Sequence, residues 1–291
     1  MTFDLYSFRL RLSAPQGIQF PEGGAGNVLR GALGAMLRRV HCVGHCLSDR
    51  GRRVRECERS SRCPYSQIFE PVSLVLGPSG LSDWPRPFVL RAAHLNGKTI
   101  APGEPFCFDI NLFETRSPNI EVFAEAFAHW ATLLSVTPVD ADGHPVPGAI
   151  SIPLEPESLP RHRLRVQFRT PTELKGGLGK KPEFSVLFAR AQDRIGTLRQ
   201  LYGAGPLAID FQAMRARATG VRMTHCELQQ VAARRRSSRT GQVHGIGGFV
   251  GMAEYEGALA EFVPYLEAAR WTGVGRQCVW GKGELGLEIV S

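Results

Sequence analysis

The chain has 291 residues, of which 43% are hydrophobic, and a formal net charge of +8; that is enough apolar material for two cores of about 150 residues each, the division expected here. No apolar run of about 18 residues occurs, and Met1–Arg11 shows no basic region followed by an apolar core, so neither a membrane span nor a secretory signal is indicated and a cytoplasmic protein is expected. The basic balance suits a polyanionic partner, and because only five of the 35 basic residues are lysines, the charge is carried by guanidinium groups fit for bidentate contacts.

Taken in chain order, "FDLYSFRLRL" (3–12) alternates apolar and polar residues, the period of a half-buried strand. After a glycine-bearing loop, "NVLRGALGAMLRRV" (27–40) changes period. Leu29, Leu33, Met36, Leu37 and Val40 form one helical stripe, Asn27 is a candidate N-cap, and Arg30, Arg38 and His41 cluster beside the stripe. A cysteine-bearing loop (42–63) follows, then strand-like runs near 69–76, 87–95 and 105–114, and an amphipathic helix near 119–136. The proline-rich segment 151–162 connects the halves.

The order then restarts. Residues 162–170 alternate, 184–202 have helical spacing, 221–233 and 247–257 read as strands, 258–271 as a helix despite Pro264, and 283–290 as a last strand. Both halves fit a βαββαβ order, giving an α+β protein with domains at 1–158 and 159–291 and the cysteine loop inserted after the first helix.

Four constellations carry chemistry. Cys42, Cys46, Cys57 and Cys63 run as C-x3-C-x10-C-x5-C among His41 and His45. Four such ligands suit a structural zinc; free thiols, or a site without metal, are the other readings. "RRRSSR", comprising Arg234, Arg235, Arg236, Ser237, Ser238 and Arg239, is followed by His244 and reads as a phosphate-contacting cluster or as a solvated loop. In the glycine-rich stretch 270–288, Gly273, Gly275, Gly281 and Gly283 can bring backbone N–H groups to a phosphate, with Arg276 and Lys282 adding charge; a tight hairpin alone is the structural alternative. A dinucleotide fingerprint does not fit, since the stretch leads from a helix into a strand. His41, flanked by Arg38 and Arg30, is a candidate general acid or base for RNA cleavage, with cations stabilising the phosphorane. His41 as a structural residue or metal ligand, a role for His45, His244 or His225, and an arginine-only site stay open.

These strings together resemble one family. "LRGALGAMLRRVHC", "CPYSQIFEP" (63–71), "FRTPTELK" (168–175), "RIGTLRQLYG" (194–203) and the C-terminal 247–288 are similar to the CRISPR-associated endoribonuclease that processes precursor crRNA, the sixth Cas family, within the RAMP superfamily. The resemblance implies tandem ferredoxin-like (RRM-like) domains with a cleft for a CRISPR repeat. It also implies metal-independent cleavage with no catalytic cofactor, leaving a 5′-hydroxyl and a 2′,3′-cyclic phosphate, and, as in many relatives, retention of the crRNA as a subunit of an effector complex with other Cas proteins. A non-catalytic crRNA-binding subunit is the alternative. The chain departs from the family pattern where Arg276 replaces a lysine and "WGKG" replaces the aromatic-Gly-Leu-Gly close.

Overall fold

The computed structural model describes residues 1–42, 62–71, 84–174, 181–232, 234–236, 243–245 and 247–290, with the backbone alone for 234–236 and 243–245. Contacts divide the chain into two compact units, Leu5–Ile150 and Met1–Asp4 with Ser151–Ser291.

In the first unit the elements are β1 (Thr2–Ser13), β2 (Ile18–Gln19), α1 (Ala25–His41), β3 (Phe88–Arg91), β4 (Thr99–Ile100), β5 (Pro105–Leu112), α2 (Ile120–Ala128) and β6 (Thr132–Pro138). The main sheet runs β3-β5-β1-β6, with every pair along it antiparallel, while β2 and β4 form a separate two-residue ladder. Alternation in β1 buries Phe3, Leu5, Leu10 and Leu12. The helices cover this side, Phe88 meeting Phe123 edge-on at 5.3 Å and Phe108 meeting Phe127 at 5.0 Å, geometries that suit the ring quadrupoles.

The second unit contains β7 (Ile150–Pro153), β8 (Arg163–Thr172), α3 (Phe184–Tyr202), α4 (Phe211–Ala218), β9 (Arg222–Val231), β10 (Arg234–Arg236), β11 (Val243–Gly245), β12 (Gly248–Glu256), α5 (Val263–Thr272) and β13 (Leu285–Ile289). Its sheet order, β13-β8-β12-β9, is again wholly antiparallel. β7 pairs with β1, whose first residues, Thr2–Asp4, belong to this unit. Both units therefore have the ferredoxin-like arrangement, the first strand of each βαββαβ unit lying between its third and fourth. In β8 Leu164, Val166, Phe168, Thr170 and Thr172 face the core, where Phe184 and Phe188 each meet Phe262 edge-on. Pro264 is tolerated because it lies in the first turn of α5, where no intrahelical N–H is needed.

Local departures have local causes. The helix expected near 119–136 ends at Ala128, because the residues after it, with Thr132, Val136 and Thr137, prefer the pleated sheet and complete the first unit's fold as β6. Helix α1 starts at Ala25 with Gly24 at its N-cap, so Asn27 is inside the helix. The strand-like run near 69–76 begins instead in a π-helical turn, Tyr65–Phe69, and its residues 72–76 lie outside the described residues. The ladder β10–β11 and helix α4 were not anticipated; both are short, and the Asp210 side chain caps α4 by accepting from the backbone N–H groups of Gln212 and Ala213. Of the cysteine loop, 43–61 lie outside the described residues. No described helix is long and apolar enough to cross a membrane.

The Tyr65–Phe69 turn reaches α1 through a glycine. A Cβ at Gly34 would lie 2.3 Å from the Phe69 ring, whereas one at Gly31 would meet nothing within 4 Å. Gly34→Ala is expected to cost about 1–3 kcal/mol through overpacking, and Gly31→Ala to stabilise by up to about 1 kcal/mol through helix propensity; urea unfolding of the two variants checks the contrast.

Candidate functional site

In the first unit, α1 delivers His41 at its last turn. Among the described residues the His41 Nε2 is buried without a hydrogen-bond partner and faces the Glu125 carboxylate of α2, its Oε2 at 3.8 Å. A carboxylate so placed can orient an imidazole. Arg30 and Arg38, expected beside His41, are engaged by aromatic faces: Arg30 is buried with its Cζ 4.4 Å from the Phe69 ring centre, and Arg38 lies 4.9 Å from that of Tyr65. The Tyr65 hydroxyl donates to Glu70 Oε1 at 2.8 Å, and burial, then the Glu70 charge, pushes its pKa up. Tyr65, Phe69 and Glu125 were missed as neighbours of this cluster. Their signals were the aromatic pair at i,i+4 within "YSQIF" and the carboxylates at 121 and 125 on one face of α2.

Cys42 is buried and Cys63 half-buried, both as free thiols; Cys46 and Cys57 lie outside the described residues, so the four-cysteine zinc set is outside what the structure describes. Among the described residues the metal-type donors that converge are Asp140, Asp142 and His144, in a turn where Asp140 Oδ1 accepts from the backbone N–H groups of the other two. Those hydrogen bonds, His144 first, hold the Asp140 pKa below the ordinary carboxylate value.

The second unit holds the glycine-rich stretch as an arch between α5 and β13. The Val274 N–H donates to the Gly283 carbonyl at 2.9 Å, the Gly283 N–H to Pro171 at 3.2 Å, and the Arg276 N–H to Glu173 at 3.0 Å. Gly283 and Gly275 are required by this closure: both have positive φ, and a Cβ would lie 2.0 Å from the Val274 carbonyl oxygen in one case and 2.3 Å from that of Glu173 in the other. Gly273 and Gly283 are buried, while Gly275 and Gly281 are half-exposed, so the arch offers backbone outward at its middle rather than at its feet. Arg276 projects there, exposed, with Nη1 2.8 Å from Glu173 Oε1. Lys282 does the opposite. It is 4% exposed, donates to the Gly247 carbonyl at 2.7 Å and Gln277 Oε1 at 2.9 Å, and burial holds its pKa below the ordinary lysine value.

Arg234, Arg235 and Arg236 lie on β10, opposite Gly245, His244 and Val243 of β11, so that Arg235 pairs with His244 across the ladder. Ser237, Ser238 and Arg239 lie outside the described residues. Thus the structure brings the arch and the approach to β12 together through Lys282, and it places Arg30 and Arg38 of α1 against the Phe69 and Tyr65 rings.

The sheet face of the second unit opposite its helices carries Arg163, Arg165, Gln167 and Arg169 from β8. Glu254 binds both Arg163 and Arg165, at 2.6 and 2.8 Å, and Arg165 also binds Glu288. Arg169, missed as a site candidate, is exposed and lies across Gly286, where a Cβ would be 2.8 Å from its Nε; among the described residues no carboxylate forms an ion pair with it. It lines a groove of about 540 Å³ with Gln167, Glu227 and Met252. Its signal was legible: alternation through "RLRVQFRT" puts these polar residues on one face.

The chain is similar to known proteins in part of its sequence and in its fold. Residues 166–285 match the family model of the CRISPR-associated endoribonuclease Cas6. This match lies within the second unit and covers less than half of the chain. Residues 3–133 match a further family model, described as an N-terminal domain. No curated protein matches the chain. Among solved structures, the product complex of Thermus thermophilus Cas6 (TTHB231) is 17% identical with a TM-score of 0.56, covering 98% of this chain and 100% of that one. The Cas6 (TTHA0078) product complex is 19% identical with a TM-score of 0.52, at 98% and 99% coverage. A partial Cas6-RT-Cas1–Cas2 complex is 12% identical with a TM-score of 0.55, covering 99% of this chain and 46% of that one. These likenesses show the tandem ferredoxin-like fold.

The Glu254 cluster has a pH consequence. Hydrogen bonds from Arg165, then Arg163, hold the Glu254 pKa below its ordinary value. Its contribution to stability is therefore present above the unfolded value of about 4.3 and lost as pH falls through the lower folded value. Glu254→Gln should weaken the fold at neutral pH and make the acid loss of stability shallower, as read from urea midpoints across the acid range.

Proposed function

We propose that the chain is a metal-independent endoribonuclease that cuts CRISPR repeat RNA within precursor transcripts and stays on the crRNA hairpin it makes, with other Cas proteins as further partners. The observation that carries this reading is the Cas6-family match over 166–285, which spans the arch, Arg276, and the basic segment ending in His244. The product complexes of two Cas6 proteins and the Cas6-RT-Cas1–Cas2 assembly support RNA and Cas partners for this chain as well.

In this reading Arg234, Arg235, Arg236, Ser237, Ser238, Arg239, His244 and Arg276 meet phosphates, and Gly275 offers backbone to the same strand. The chemistry is a transesterification. A base takes the proton of the 2′-hydroxyl, the 2′-oxygen attacks the adjacent phosphorus, the bond to the 5′-oxygen breaks, and an acid protonates that leaving oxygen, giving a 2′,3′-cyclic phosphate and a 5′-hydroxyl. His41 serves as one of the two proton carriers, oriented by Glu125, and Arg38 stabilises the phosphorane after leaving the Tyr65 face. Arg30, buried against Phe69, holds that aromatic turn on α1.

The assay is cleavage of labelled repeat RNA in EDTA. A single cut is expected, and His41→Ala should lower its rate at least about a hundredfold, as for a lost general acid or base, with RNA binding retained. A gel shift without product from the unsubstituted protein would instead make it a crRNA-binding subunit, and near-normal cleavage by His41→Ala would move the proton transfer elsewhere.

A further inference from the structure

A buried ammonium is a costly way to fill space. An apolar side chain of similar length would avoid the desolvation penalty, so a charge kept in such a position has a geometric or chemical task. Lys282 is in this situation, and its two hydrogen-bond acceptors, the Gly247 carbonyl and Gln277 Oε1, are both neutral. No carboxylate forms an ion pair with it among the described residues, whereas Arg276, six residues earlier on the same arch, is exposed and paired with Glu173.

The acceptors lie on separate segments. Gln277 belongs to the arch, where it holds a φ of 62°, a conformation that a side-chain-bearing residue keeps only when its surroundings fix it. Gly247 is the residue before β12, two positions beyond the end of β11, at the foot of the basic ladder. Nothing else follows β11 before the sheet resumes except residue 246, so the position of Gly247 governs where the ladder emerges. The contact also supplies the Gln277 side chain with a partner that helps to hold its left-handed backbone.

We propose that Lys282 is a positioning residue: its ammonium clasps the glycine-rich arch to the foot of the β10–β11 ladder, setting the two elements in one register for RNA while touching no phosphate itself. This rests on the reading of the arch and the ladder as RNA contacts. It separates the two lysine-or-arginine positions of the arch by task, with Arg276 meeting the ligand and Lys282 holding the frame.

Salt dependence distinguishes the two tasks. A side chain that neutralises a phosphate releases counterions on binding, so its removal lowers the slope of log affinity against log salt; a strut changes affinity at constant slope. The probe is repeat RNA made uncleavable by a 2′-deoxy substitution at the scissile nucleotide, titrated over a range of salt. Lys282→Met should raise Kd about tenfold or more, as for a lost charge-assisted hydrogen bond, with the parent's slope, whereas Arg276→Ala should lower the slope by about 0.7 to 0.9. Amide hydrogen exchange in Lys282→Met should rise in 234–247 and 273–283 and stay at the parent's level in β8 and α3, which a general loss of structure would not do. Should Lys282→Met not fold, Gln277→Ala carries the test, a raised Kd at constant slope supporting the clasp and an unchanged Kd overturning it. A Lys282→Met protein that binds as tightly as the parent, or one whose slope falls as in Arg276→Ala, overturns the proposal alone. A parent protein whose affinity for the RNA does not fall with salt removes the RNA reading and this proposal with it.

Discussion

The candidate RNA-facing part of the second unit depends on how residues 274–283 are drawn onto the end of β8. Two backbone hydrogen bonds, from Gly283 to Pro171 and from Arg276 to Glu173, fix the arch to the strand, and a third, from Val274 to Gly283, closes it on itself. The carbonyl oxygens of Val274 and Glu173 then occupy the space that side chains at 283 and 275 would need. Glycine here answers first to the chain's own crossing; whatever the arch presents to a ligand is what this closure leaves outward, Gly275, Arg276 and Gly281 among it. The same closure draws Lys282 inward and brings the arch within reach of Gly247.

Charge is distributed by the same logic. The chain is basic overall, yet many of its arginines are bound to carboxylates: Arg9 to Asp109, Arg163 and Arg165 to Glu254, Arg215 to Asp193, Arg217 to Glu261. Such pairs set strand register and helix packing and leave little field for a polyanion. Arg30 and Arg38 are held on aromatic rings. The net charge is therefore a poor guide to where a polyanion would bind. Local surpluses such as "RRRSSR" and the guanidinium of Arg169 across Gly286 are better guides, because no carboxylate forms an ion pair with Arg169 among the described residues.

How much of this was legible depended on whether the signal was periodic. The burial of alternate residues in β8 and the helix over 184–202 follow from period alone, and both appear where the pattern puts them. The break at Ala128 was not legible, because Phe127, Trp130 and Ala131 continue the apolar spacing of α2 and it is β-branched preference and pairing with β1 that stop the helix. Side-chain direction was least legible. Lys282 and Arg276 sit in one glycine-rich string with like charge, and only the course of the backbone shows that one is buried and the other exposed. Glu125 facing His41 depended on the docking of α2 beside α1, a tertiary relation that neither helix's own pattern contains.

The most direct test of the account is a structure of the protein with uncut repeat RNA bound. The account predicts the RNA strand against Gly275, Arg276 and the β10–β11 ladder, with a nitrogen of His41 within hydrogen-bond reach of the scissile 2′-oxygen or the departing 5′-oxygen. An RNA held on the helical face of the second unit, with the arch and the ladder free of phosphate contacts, would contradict it.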